Sequence, residues 1–410
     1  MTIIECFERS PVENIATCLS LSPDTLVFIG KGEALREEIG RYRLFLQGRG
    51  LTTNILLRET DGTGITDITR ILTDIITAGD ECIIDLAGGD EIALAAAGAV
   101  YERYKDVYPV SLQRFDVQTG EVEDSDGDGQ IEMKLHPQLS VGELVSLHGG
   151  SISTEHPPLE DDPEPLWQVM IEDAGRFNRM VGALGEMERR AGVSSKDRTV
   201  TLNLKKLSGE ISCYADKRAL FDRLMDKLEE KNIITLHCRD EREFSYTYRT
   251  SLARYCLRKS GNTLECKTLL EARRLQKDGV PFFSDAQMGV TIDWDGITHH
   301  PTAGVQDTKN EIDVVLMHGL SPLFISCKNG GIDEEELYKL STVADRFGGQ
   351  FAKKLLIASD FRPESVSAKR ALLQRAEDMG ILFEPDASAL TEAGWRRLLT
   401  HPFQIKKQEG

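Results

Sequence analysis

Residues 1–110 alternate wholly apolar runs with amphipathic ones, and that rhythm restricts the fold more than any other feature of the chain. TLVFIG (Thr25 to Gly30), TNILLRE (Thr53 to Glu59) and CIIDLAGG (Cys82 to Gly89) hold apolar residues at consecutive positions, the pattern of strands covered on both faces. Between them, GEALREEIGRYRLFLQGRG and TDITRILTDIITAG repeat apolar residues at helical spacing and stop at glycine, and DEIALAAAGAVYERY supplies a further helix. Strands buried on both faces need helices over both faces. The alternation therefore predicts an α/β fold with a Rossmann-like, doubly wound parallel sheet, whose ligands bind beyond the carboxyl ends of the strands.

A chain of 410 residues is too long for one typical core and is expected to hold more than one domain. From Pro109 the rhythm is lost: RFDVQTGEVE and GQIEMKL read as hairpin strands. Residues 1–150 are therefore assigned to a first domain, the proline- and acid-rich stretch 151–165 to a linker, and 166–410 to a second α/β domain that opens on an amphipathic helix from Leu166 to Arg190. No apolar run is long enough to span a membrane, and the N-terminal MTIIECFERS has no apolar core of a signal peptide. The eight cysteines form no CxxC pair; Cys6, Cys18, Cys82 and Cys327 sit in apolar patterns and are expected to be buried thiols of a cytoplasmic protein.

The net charge of −18 argues against a protein that coats nucleic acid without selectivity. The charge is uneven, however. Between Glu121 and Trp167 twelve carboxylates face a single Lys134, whereas between Tyr246 and Lys277 eight Lys and Arg face two glutamates. The second stretch, with Arg249, Arg254, Arg258 and Lys259 interleaved with Tyr246, Tyr248 and Tyr255, suits a surface that tracks a nucleic-acid backbone, and core packing of the tyrosines on a strand is the equal alternative.

The segment that follows carries the chemistry. EIDVVLMHGLSPLFISCK, Glu311 to Lys328, is two apolar strands about a turn at His318–Gly319. Strand side chains alternate faces, so Glu311 and Asp313 share one side, and Ser326 and Lys328 share a side on the second strand. A paired hairpin gathers two carboxylates and an ammonium, a set suited to a divalent ion and to phosphodiester hydrolysis. Upstream, the helix SGNTLECKTLLEARRLQKDG carries Glu265; downstream come the helix DEEELYKLSTVADRFGG and the strand KLLIASD. In the first domain IGKGE and LAGGDE follow strands and open helices, where glycines let backbone N–H groups approach phosphate. Neither is a GxGxxG fingerprint or a P-loop. ERSPVENI adds a third polar loop after the first strand.

This order of helix, three strands, helix and strand resembles the PD-(D/E)xK nucleases. The resemblance implies Asp313 and Lys328 as catalytic residues, joined by the helical Glu265. It departs at Ser326, where the family has an acid; Glu311 and the backbone carbonyl of Cys327 are the substitutes as metal ligands beside Asp313 and Glu265. The chain as a whole resembles a CRISPR-associated Rossmann-fold (CARF) sensor fused to such a nuclease, as in type III CRISPR systems. That implies a homodimer activated by a cyclic oligoadenylate, cyclic tetra-adenylate first among them, with Mn²⁺ or Mg²⁺ as cofactor and DNA or RNA as substrate. The activator is expected at Arg9, Ser10, Pro11, Asn14, Gly30, Lys31, Gly88, Gly89 and Asp90, and the nucleic acid at Arg249, Arg254, Arg258 and Lys259. The alternatives are a nucleotide-sensing regulatory protein with an inactive nuclease domain, and a ribonuclease preferring single-stranded RNA. DSDGDGQIEMKL mimics a calcium loop but has Leu135 where a bidentate glutamate belongs.

Overall fold

The structure, a computed structural model, describes the chain apart from residues 8–9, 61–63, 126–135, 155, 157–161, 195, 297–307, 362–364 and 405–410. It opens with β1 (Thr2–Cys6), α1 (Glu13–Leu21), β2 (Thr25–Gly30), α2 (Glu33–Gly48), β3 (Asn54–Glu59), α3 (Ile65–Ile76), β4 (Cys82–Asp85), α4 (Glu91–Tyr104), β5 (Val110–Asp116) and β6 (Glu121–Asp124). These strands form a six-stranded sheet, β3-β2-β1-β4-β5-β6, parallel from β3 to β5 with β6 antiparallel at the edge. Alternate residues serve opposite faces. Ile4, Ile29 and Ile84 pack with Leu72 of α3 and Val100 of α4, whereas Ile3, Phe28 and Ile83 pack with Ile15 of α1 and Ile39 of α2. The chain winds outward in both directions from β1 and β4, so the crevice above their carboxyl ends is the switch point where this architecture binds ligands.

Next, α5 (Val141–Leu147) starts on a capping box of Ser140 and Glu143. Ser151–Thr154, the first residues of the stretch read as a linker, form β7 and pair antiparallel with a strand of a second sheet. The amphipathic segment read as one helix is two, α6 (Glu164–Glu172) and α7 (Ala174–Ala191), broken at Asp173 with φ −144° and ψ 44°. Then come β8 (Thr199–Asn203), α8 (Leu204–Glu210), α9 (Tyr214–Glu230), β9 (Ile234–Arg239) and β10 (Glu243–Tyr248), whose strands form a small antiparallel sheet, β8-β10-β9.

The remaining elements are α10 (Ser251–Cys256), α11 (Asn262–Arg274), a ribbon of β11 (Gln276–Lys277) and β12 (Val280–Pro281), β13 (Asp285–Asp293), β14 (Lys309–His318), β15 (Ser321–Lys328), α12 (Glu334–Gly348), β16 (Lys353–Ala358), α13 (Val366–Asp378), β17 (Ile381–Glu384) and α14 (Glu392–Thr400). The second large sheet runs β17-β16-β15-β14-β13-β7. Leu264 and Leu269 of α11 pack with Val314, Leu316 and Ile325 on one face; Leu337 and Leu340 of α12 pack with Val315 and Phe324 on the other.

That second face is continuous with the first sheet. Ile3, Phe28, Leu144, Val290, Val315 and Phe324 belong to one apolar cluster, with α5 between the sheets. Polar contacts reinforce the junction: Arg49 at the end of α2 donates from both Nε and Nη2 to Glu143 at 2.7 Å, Leu139 N–H donates to Gly319 O at 3.0 Å, and Val141 N–H donates to Asp285 Oδ2 at 2.9 Å. The turn of the β14–β15 hairpin and the start of β13 are thus tied to the segment that opens α5, and Arg49 ties α5 in turn to α2 of the first domain.

Candidate nuclease site and ligand crevice

The β14–β15 ladder runs from His318–Ser321 to Val314–Ile325. Beyond it the Asp313 carboxylate takes over: its Oδ2 accepts from Cys327 N–H at 2.6 Å and from Ser326 Oγ at 3.3 Å. Both bonds fall on one oxygen, Oδ2. Glu265, in the first turn of α11, is 8% exposed and faces Asp313. Burial, then repulsion from Asp313 and Glu311, pushes its carboxyl up to about 8, with Lys259 and Lys328 pulling the other way. Asp313 is raised as well, by burial first, against the opposing pull of the Cys327 N–H and Lys328. Lys328 ends β15, and its Nζ stands 2.7 Å from Glu336 Oε2 on α12. Burial would lower its pKa; Glu336 and Asp313 outweigh that and raise it. Tyr255, on α10, has its hydroxyl pKa raised by burial and by the charges of Glu265 and Glu311.

The hairpin therefore brings together Asp313, Ser326 and Lys328, and Glu265 and Glu311 stand within electrostatic reach of Asp313. Among the described residues no three His, Cys, Asp or Glu side chains converge tightly enough to cage an ion by themselves. Two neighbouring carboxylates, both raised first by burial, nevertheless fit a hard cation such as Mg²⁺, which is held by one or two carboxylates and keeps several waters.

The basic stretch divides. Arg249, Arg258 and Lys259 are exposed, and Lys259 acts on Glu265. Arg254 is not on the surface: it is 6% exposed and paired with Glu188 of α7. Tyr246 and Tyr248 are fully buried and both donate to Glu188, so neither offers a stacking face. The alternation Phe244, Tyr246, Tyr248 was the available signal, since every second residue being aromatic marks the buried face of a strand. Sequence reasoning also missed Glu336 and the loop that delivers it. Asn329 Nδ2 donates to Asn178 Oδ1 of α7 at 2.6 Å, and Ser359 Oγ donates to Asn329 Oδ1 at 2.6 Å.

In the first sheet, the loops after β1, β2 and β4 lie side by side because those strands are neighbours. They bring together Ser10, Pro11, Gly30, Lys31, Gly88, Gly89 and Asp90; Arg9 lies outside the described residues. Lys31 is exposed. Asp90 is spoken for as the N-cap of α4, accepting from Ala93 N–H at 2.8 Å. Asn14 is buried and donates to the Tyr42 hydroxyl at 3.0 Å. Gly89 has φ +100°, and a Cβ there would lie 2.7 Å from the Cys6 Cβ, so this loop geometry requires glycine.

Directly under the crevice lies an acid pair with no sequence signature. Glu5 and Asp85 occupy facing register positions on β1 and β4 and are 0% and 1% exposed. Thr17 Oγ1 donates to Asp85, and both Glu5 carboxyl oxygens lack a hydrogen-bond partner. Burial, then the Asp85 charge, drives the Glu5 pKa well above its ordinary value. Folding thus favours protonated Glu5: its contribution is present below the unfolded pKa and is lost as pH rises toward the folded one. Glu5→Gln is expected to raise the melting temperature more at about pH 8 than at about pH 5. Equal gains in thermal melts at the two pH values would contradict this.

Residues 256–386 match the family model of the Card1-like endonuclease domain. Comparison with curated proteins yields no match. Among solved structures, VC1899 from Vibrio cholerae aligns over 98% of this chain and 97% of its own at 19% identity, with a TM-score of 0.70. Can2 from Sulfobacillus thermosulfidooxidans, solved in complex with cyclic tetra-adenylate, aligns over 98% of this chain and 97% of its own at 15% identity, with a TM-score of 0.65. The chain thus shares its α/β fold, over nearly its whole length, with VC1899 and Can2, and its residues 256–386 are similar to the Card1-like endonuclease domain.

Proposed function

We propose that the protein is a metal-dependent endonuclease switched on by a cyclic oligoadenylate, cyclic tetra-adenylate above the others, in type III CRISPR defence. The observation that carries this reading is the joint presence of a Card1-like endonuclease domain and a Can2-like fold over the whole chain, Can2 having been solved with that nucleotide bound. Residues 1–150 act as the sensor and 166–410 as the nuclease, with β7 carrying the chain onto the second sheet. The glycine loops at the switch point hold the activator phosphates through backbone N–H groups. Two chains share one activator across a two-fold axis. Ile65, Ile92 and Leu94, exposed on the mutually packed helices α3 and α4, supply apolar surface for that association. Among the described residues no helix is long and apolar enough to cross a membrane.

In the nuclease, Asp313 and Glu265 would hold Mn²⁺ or Mg²⁺, with Glu311 and the Cys327 carbonyl as candidates for further ligands. A bound divalent ion supplies Lewis acidity at the phosphate and a more acidic water. Asp313, fixed by Cys327 N–H and Ser326 Oγ, orients the ligand set. Lys328 places an ammonium where negative charge grows on the phosphate oxygens. Arg249, Arg258 and Lys259 bind the nucleic-acid backbone.

The reading is tested by offering single-stranded and duplex DNA and RNA, with Mg²⁺ or Mn²⁺, to the activated protein. Metal-dependent cleavage of at least one of the four is expected; tight nucleotide binding without any cleavage would favour a regulatory protein, the reading that Ser326 supports. On the sensor side, Gly89→Val adds strain of ~1–3 kcal/mol and a clash with Cys6. It is expected to weaken cyclic tetra-adenylate binding about tenfold or more in calorimetric titration. An unchanged midpoint would remove this loop from the activator site.

A further inference from the structure

Ser326 stands where a strand acid would flank Lys328 two residues away on the same face, and its hydroxyl instead donates to Asp313 Oδ2 at 3.3 Å. The charge absent from that position has a counterpart on the other side of the lysine. Glu336 Oε2 lies 2.7 Å from Lys328 Nζ, with side chains 25% and 27% exposed. Glu336 is the third residue of α12, whose N-cap Asp333 accepts the Glu336 N–H at 3.3 Å. The first turn of α12 holds three acids, Glu334, Glu335 and Glu336, all suited to the positive end of the helix dipole. They are not equivalent. Glu334 and Glu335 are exposed, and Glu335 pairs outward with Lys339 at 2.9 Å. Glu336 alone of the three is turned to the site lysine, and its second oxygen, Oε1, is 3.9 Å from Lys339.

The connection from β15 to α12 is short and pinned. Asn329, next to Lys328, bonds to Asn178 and accepts from Ser359, so the turn that delivers Glu336 is fixed against α7 and the end of β16. A lysine on a four-carbon stem gains direction only from what its ammonium bonds to. Here that partner comes from a different element than the strand bearing the lysine.

We propose that Glu336 is the acid this site uses in place of one at position 326. It is a positioning residue: it acts through Lys328, holding the ammonium beside Asp313, and it restores the negative charge that Ser326 lacks. The inference rests on the nuclease reading above and names how that site compensates for its departure from the motif. An acid returned to position 326 then makes Glu336 dispensable, which a merely structural ion pair on α12 does not predict.

The test compares the full-length wild type, Glu336→Gln, Glu336→Asp and the double variant Ser326→Glu/Glu336→Gln in cleavage activated by cyclic tetra-adenylate, with kcat and KM separated. Glu336→Gln is expected to lower kcat about tenfold or more with KM within about twofold, and Glu336→Asp to retain more activity than the glutamine. The double variant is expected to recover most of the loss. A kcat for Glu336→Gln within about twofold of wild type, or a double variant no better than Glu336→Gln, overturns the proposal. A second arm needs no activity: reductive methylation of Lys328, followed by mass spectrometry without activator or metal. Lys328 is expected to be modified about threefold faster or more in Glu336→Gln, because the pair no longer occupies it. If wild type cleaves no nucleic acid, the nuclease reading and the catalytic part of this proposal fall together, and this arm still decides the contact: faster labelling upholds the pairing of Glu336 with Lys328 and unchanged labelling overturns it.

Discussion

Asp313→Ala and Lys328→Ala are each expected to reduce cleavage at least about a hundredfold, the scale of losing one preorganised electrostatic group from a phosphoryl or acyl transition state. For Asp313 the loss is twofold in kind. The carboxylate is the strand acid of the site, and it also accepts the Cys327 N–H at 2.6 Å where the β14–β15 ladder has ended. Alanine leaves that N–H and the Ser326 hydroxyl without their acceptor and lets the end of β15 move, taking Lys328 with it. For Lys328 the fold has less at stake, since its ion pair with Glu336 is a quarter exposed and such pairs contribute little to stability. The two variants therefore separate chemistry from folding: both lose cleavage, and Lys328→Ala keeps a wild-type melting temperature. Cleavage undiminished in both variants would sink the assignment of the site.

Glu188→Ala is expected to cost roughly 3–5 kcal/mol of stability, the penalty for breaking a buried ion pair by removing one partner. Glu188 Oε1 accepts from the hydroxyls of Tyr246 and Tyr248 at 2.6 and 2.7 Å, and Oε2 pairs with Arg254. Arg254 also donates to Ser194 O at 3.1 Å and lies 4.8 Å from the Tyr248 ring centre. Removal of Glu188 strands a buried guanidinium and two buried hydroxyls at once. Arg254 lies on α10, immediately before the helix that carries Glu265, so the same variant is expected to disturb the candidate nuclease site. Urea unfolding of the purified variant measures the loss; a change below about 1 kcal/mol would show that the network is not what holds α7, β10 and α10 together.

Those same residues show where sequence reasoning reached and where it stopped. The parallel sheet was legible because runs such as CIIDLA leave few alternatives to a strand buried on both faces. The hairpin was legible because two apolar strands around His318–Gly319 fix which side chains share a face, and the structure places Asp313, Ser326 and Lys328 together. Arg254 was misplaced because charge composition says nothing of direction: on α10 it turns inward to an acid 66 residues away in sequence. Glu336 was invisible for a related reason. Three consecutive acids at a helix start have a sufficient local explanation, and only the tertiary fold decides which one reaches Lys328. Glu5 and Asp85 read as strand residues, and only the register sets their carboxyls side by side in the core. The shared core between the sheets was also hidden. The apolar residues of α5, Val141, Leu144, Val145 and Leu147, are all buried, but the sequence does not say against what.

In the proposed switch, nucleotide at the first sheet controls cleavage at the second through α5 and its contacts with Gly319 and Asp285. Single-turnover cleavage by the full-length protein, with metal present and with or without cyclic tetra-adenylate, tests it most directly. The nucleotide is expected to raise the rate constant about tenfold or more. A rate that is the same with and without the nucleotide would contradict it.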